Sequence, residues 1–173
     1  MSITLIAAIT GLVAFASYSY SVSHAEHQIE HACQVVQSSL STLIESGVPR
    51  DLEARNAPNG TQRVLTMMLP ESLVYLSFGG NPDPLNTGQF QSSLTQDGAA
   101  VFYRVQGGSS HVQWLPVDTY KFREGVLQNN TWEMDGAGSS YIIHHGGSTS
   151  LVFELVQKNQ VQYILIHAND GIE

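Results

Sequence analysis

Ser2-Ile3-Thr4-Leu5-Ile6-Ala7-Ala8-Ile9-Thr10-Gly11-Leu12-Val13-Ala14-Phe15-Ala16-Ser17-Tyr18-Ser19-Tyr20 decides how this chain is read, because the first 23 residues carry no charged side chain. The 18 residues from Ile3 to Tyr20 reach roughly 27 Å as a helix, close to the hydrocarbon thickness of a bilayer. Such a segment is either surrounded by lipid or buried among other apolar groups. The run lacks the basic n-region of a secretory signal ahead of Ala14-Phe15-Ala16, and no Lys or Arg flanks it to orient an anchor. It is therefore expected to be the start of a mature chain from which a leader has been removed.

The apolar pattern then changes character without breaking. Val22, Ala25, Ile29, Ala32, Val36 and Leu43 recur at three- and four-residue steps with one gap at Ser39, and Cys33, Leu40 and Ile44 widen the stripe. One long helix is predicted, with residues 1–21 as an apolar segment and 22–48 as an amphipathic one. Val22, Ala25, Ile29, Val36, Leu40 and Leu43 are expected to pack on the rest of the chain. Gly47 and Pro49 supply its stop.

Residues 49–173 are expected to form one β-rich domain, which their length can sustain. Arg50 to Gly60 reads as a connector. Val64–Leu69, Ser72–Phe78, Ala99–Val105, His111–Val117 and Tyr141–His144 are rich in strand formers. They are separated by turn signals such as Asn81-Pro82-Asp83-Pro84, Gly107-Gly108 and Gly146-Gly147. His111–Val117 is expected to pair with Ala99–Val105. The clearest hairpin sets Leu151, Phe153 and Leu155 against Val161, Tyr163, Leu165 and His167 across Lys158-Asn159-Gln160. About six to eight short strands at this spacing predict an antiparallel, immunoglobulin-like sandwich, so the fold class is α+β.

Composition narrows function mainly by exclusion. The formal charge is −8 and the seven Lys and Arg residues are scattered singly from Arg50 onward, which leaves no basic stripe for nucleic acid. The single Cys33 cannot form an internal disulfide and reads as a small buried apolar residue. His27-Gln28-Ile29-Glu30-His31 matches the inverted zinc-peptidase pattern H-x-x-E-H, with His24 as a third imidazole nearby. These histidines fall opposite the apolar stripe, however, and a solvent-facing or neighbour-facing role is the plainer reading. His144-His145 would point to opposite faces of a strand, and Asp83 is a single carboxylate where calcium needs several. No nucleophile-elbow or triad pattern accompanies the serines, so neither an enzyme nor a cofactor is expected. Tyr75, Phe102, Tyr103 and Trp114 are expected to build core. Asn59-Gly60-Thr61 and Asn129-Asn130-Thr131 are acceptor sequons in predicted loops, and Asn59 and Asn129 are expected to carry glycan on an extracellular surface.

With these features in view, Ser2-Ile3-Thr4-Leu5-Ile6-Ala7-Ala8-Ile9-Thr10 and the helix-then-strands layout resemble the archaeal type IV pilin-like superfamily. Leu76–Pro84 and Tyr103–Gly108 look like segments of pilin-like ectodomains. The resemblance implies a secreted structural subunit of a helical filament, adhesive or archaellin-like. Assembly machinery in the membrane would build it, with the β domain as an outer sheath presented to surface ligands. Ile3, Leu5, Ile6, Ile9, Leu12, Val13, Phe15 and Ala16 would then make the filament-core contacts. The alternatives are a membrane-anchored ectodomain or archaellum accessory protein and, more distantly, a zinc-binding protein built on His27, Glu30 and His31.

Overall fold

A computed structural model describes residues 2–54, 57–93, 95–116, 120–128, 131–135 and 138–169, with side chains from Leu5 onward. The charge-free run and the stripe behind it form one continuous helix, α1 (Ser2–Ser46), of 45 residues. At 1.5 Å per residue it is about 68 Å long. Its hydroxyl residues do not break it, because Thr10, Ser38, Ser41, Thr42 and Ser46 return their side-chain hydrogen bonds to carbonyls three or four residues back. After Ser46 comes Gly47, where a Cβ would run into the Leu43 carbonyl.

Ten strands follow among the described residues: β1 (Arg50–Asp51), β2 (Gln62–Leu69), β3 (Leu73–Phe78), β4 (Ala100–Val105), β5 (His111–Trp114), β6 (Lys121–Gln128), β7 (Thr131–Met134), β8 (Tyr141–Ile143), β9 (Gly147–Lys158) and β10 (Val161–Ala168). The smaller sheet is antiparallel in the order β5-β4-β3-β8, and the larger runs β1-β9-β10-β6-β7 with β2 also on β9. β9 carries β10 along one edge, while β2 and β1 share the other edge end to end. The larger sheet curls into a half-barrel.

The all-antiparallel sandwich read from strand spacing is thus corrected. β1 pairs with β9, and β6 with β10, in parallel, so the larger sheet is mixed. Spacing and turn chemistry report hairpins between neighbours in sequence, whereas a parallel pair has no tight turn to announce it. β6 and β7 arise from a stretch with no clean alternation, since Arg123-Glu124-Gly125 interrupts it. The final hairpin turns on Asn159 (φ 52°) and Gln160 (φ 63°), both left-handed, the geometry of a two-residue loop matched to strand twist.

One core unites helix and sheets. Ala25, Ile29, Ala32, Cys33, Val36, Leu40 and Leu43 lie in the same apolar cluster as Leu76, Phe78, Val101, Phe122, Leu151, Phe153, Leu155 and Ile164. Phe78 of the smaller sheet meets Phe122 and Phe153 of the larger edge-to-face, with centroids 5.6 and 5.8 Å away. Tyr75 and Tyr103 are buried, but Trp114 is exposed, correcting its expected place in the core; its ring lies above Gly98. Val117 lies outside the described residues, and β5 ends at Trp114.

Candidate functional site

The candidate site is the exposed half of α1, which meets the body where the Tyr18 hydroxyl lies against Gly107. Every residue from Leu5 to Ser21 is exposed, including Ile9 (53%), Leu12 (69%) and Phe15 (71%). Leu5, Ile6, Val13, Tyr18 and Tyr20 are also exposed, so apolar surface surrounds the rod. It is the one helix among the described residues long and apolar enough to cross a membrane, with mean hydropathy 1.6 in its most apolar window and none of that window buried. Exposed apolar area on this scale marks a surface that something covers. Of the proposed filament-core residues, Leu5, Ile6, Ile9, Leu12, Val13, Phe15 and Ala16 are all exposed. Ile3 is helical, but its side chain lies outside the described residues.

Beyond Ser21 the same helix behaves differently. Val22 is half-buried, and Ala25, Ile29, Val36, Leu40 and Leu43 are buried against the two sheets. Gln28 Nε2 donates to the Met68 carbonyl at 3.0 Å, so the helix also covers the edge of β2. Cys33 is buried among these residues, and burial, followed by the nearby Glu30 carboxylate, pushes its thiol up to about 12.

Past the helix the chain is clamped. Arg50 Nε lies 2.8 Å from Glu154 Oε1 and Arg50 Nη2 lies 3.0 Å from Oε2, in a buried ion pair; Arg50 also donates to the Trp132 carbonyl. Gly60 N–H donates to Glu154 Oε1 at 2.8 Å, and a Cβ on Gly60 would strike the Leu155 carbonyl, so this position has room only for glycine. Removing one partner of such a pair strands the other in a dry site. Asn59, beside Gly60, is exposed on the rim of a cavity shared with Asp51, Glu53, Glu133 and Lys158. Asn129 lies outside the described residues.

The histidines weighed as ligands in the sequence all lie on exposed surface. His24, His27 and His31 are exposed on the far side of the helix; His27 Nδ1 contacts Glu30 Oε2 at 2.9 Å, and His24 lies beside the Tyr20 ring. Among the described residues, no group of three His, Cys, Asp or Glu is arranged to hold a metal ion. His144 and His145 are both exposed, and burial, then His145, pulls the His144 imidazole below its ordinary value. Asp83 is turned inward, its carboxylate accepting from Thr87 N–H (2.7 Å) and Gly88 N–H (2.9 Å) with Arg104 at 3.5 Å. Desolvation pushes its pKa upward, but the backbone donors and Arg104 outweigh it and hold the carboxyl below the usual value. That carboxylate is spent on the fold of its own loop.

Sequence reading misses two groups that position the site. The Arg50–Glu154 clamp joins residues 104 apart, and the contact between Glu26 and His111 spans 85. Only Gly107-Gly108 hints at a close approach there. No protein-family profile, curated protein or solved structure matches the chain.

Proposed function

We propose that this chain is a structural subunit of an extracellular, type IV pilus-like filament, with the free half of α1 packing among its counterparts from other copies and the β-rich body forming the outer sheath. The supporting observation is the uncharged, fully exposed segment from Leu5 to Ser21. Burying Leu5, Ile6, Ile9, Leu12, Val13, Phe15, Tyr18 and Tyr20 yields on the order of 10 kcal/mol or more, comparable with the cost of association. The surface is apolar on all sides, so one neighbour cannot cover it. Repeated head-to-tail contacts that do not close into a ring place several copies around each rod.

Before assembly the same segment resides in the membrane, and the pilin resemblance of Ser2–Thr10 points the same way. Attachment to surfaces is the role this arrangement serves best, with Asn59 glycosylated on the sheath. Sheared cell-surface material tests the proposal: fibres in which mass spectrometry finds this chain support it, with glycan mass on the peptide containing Asn59. A chain recovered only as detergent-extracted monomer contradicts it and favours a single anchored ectodomain, the reading that membrane-crossing length and hydropathy also allow.

A further inference from the structure

We propose that His111 and Glu26 form a protonation-sensitive latch that sets how much of α1 is docked on the body and how much projects freely. Among the described residues, this is the polar contact between body and helix that lies nearest the free half. His111 Nε2 lies 3.0 Å from Glu26 Oε1, with both side chains partly exposed. The β4–β5 turn brings it there. A Cβ on Gly107 would collide with the Tyr18 hydroxyl, and one on Gly108 would come within 2.7 Å of Glu26 Oε1, so the glycine pair lets the turn lie flat on the helix. Gly107 is left-handed at φ 77°, a second reason for glycine.

The groups facing His111 come from two elements. Glu26 and Glu30 lie on the helix, Glu30 being bonded on its outer side to the far-face His27, and Tyr103 on β4 stacks on the His111 ring at 5.1 Å, 15° from parallel. Tyr103 donates its hydroxyl to Glu30 Oε1 at 3.4 Å. Burial, then Glu30, Cys33 and Glu26, push that hydroxyl to about 12, so it remains a donor while histidine titrates. The proton-binding group that the turn holds against a carboxylate of the docked helix is therefore the His111 imidazole.

The sign follows from the pairing. Protonated, His111 forms an ion pair with Glu26; neutral, it forms only a hydrogen bond. A charged ring holds the carboxylate more tightly than a neutral one, so acid strengthens the latch and alkali loosens it. With the latch open, the turn leaves Tyr18 and Glu26, and the docked helix ends near Ala25 and Ile29. The free rod then gains one to two turns, about 5–10 Å. This inference rests on the geometry of the junction and not on filament assembly.

Hydrogen exchange of the full-length chain in detergent micelles, followed on peptides covering 105–114 and corrected for intrinsic rate, tests it. Protection of the turn is expected to be about two- to fivefold greater at about pH 5.5 than at about pH 8. Glu26→Gln and His111→Gln should each remove that difference, while His27→Gln should leave it. A wild-type turn equally protected at both pH values overturns the latch, as does a pH dependence that survives His111→Gln. Because the micelle holds monomers, either result is independent of whether filaments form.

Discussion

The two halves of α1 are built from similar residues and meet opposite fates. Ile9 and Leu12 in the first half are exposed, while Ile29 and Leu40 in the second are buried in the core. The difference is one of arrangement. Between Leu5 and Tyr20 apolar side chains occur on every side, so no orientation lets one body cover them. From Val22 to Leu43 they fall on one stripe, with His24, His27, His31 and Ser38 on the far face. A stripe is satisfied within the chain, whereas an all-round apolar rod needs lipid or several neighbours.

The largest expected effect comes from placing the same charge in each half. Ile29→Asp should unfold the body, because a carboxylate would enter the core without a partner. Ile9→Asp should leave the melting of the body unchanged and abolish fibres. A folded Ile29→Asp, or normal fibres from Ile9→Asp, would erase the distinction. Next comes the clamp beyond the docked half: Glu154→Gln leaves Arg50 without its ionic partner and should cost about 3–5 kcal/mol in denaturant unfolding. A milder pair sharpens the contrast. Leu40→Ala should cost about 2–5 kcal/mol, and Leu12→Ala should stay within about 0.5 kcal/mol for the monomer in detergent. Smallest is the chemical readout, since the Cys33 thiol is held near 12 and stays protonated and buried. It should resist alkylation at about pH 8, where Ala16→Cys should react in the monomer and become protected in a fibre. Rapid labelling of Cys33 in the folded chain would mean that the second half undocks.

Much of this contrast is legible in the sequence, because periodicity and charge are local properties. The helix, its apolar start and the β9–β10 hairpin at Asn159-Gln160 follow from residues close in the chain. The mixed sheet does not, since β6 reaches β10 only after three intervening strands and no turn residue records that pairing. The site is legible to a similar depth. The greasy segment reads directly from Ile3 to Tyr20, whereas Glu26 gives no sign of meeting His111 until β4 and β5 fold back beside it. The H-x-x-E-H spacing shows the converse: residues at the right intervals, yet His27 and His31 lie on an exposed face without a third ligand among the described residues.

Removing detergent from the purified full-length chain, with sedimentation and negative-stain imaging of the product, tests most directly what covers the free half of the helix. Fibres one body-layer thick around a helical centre are the predicted product. A stable, monodisperse monomer that remains in solution without detergent would contradict the claim that this rod is made to be surrounded by copies of itself.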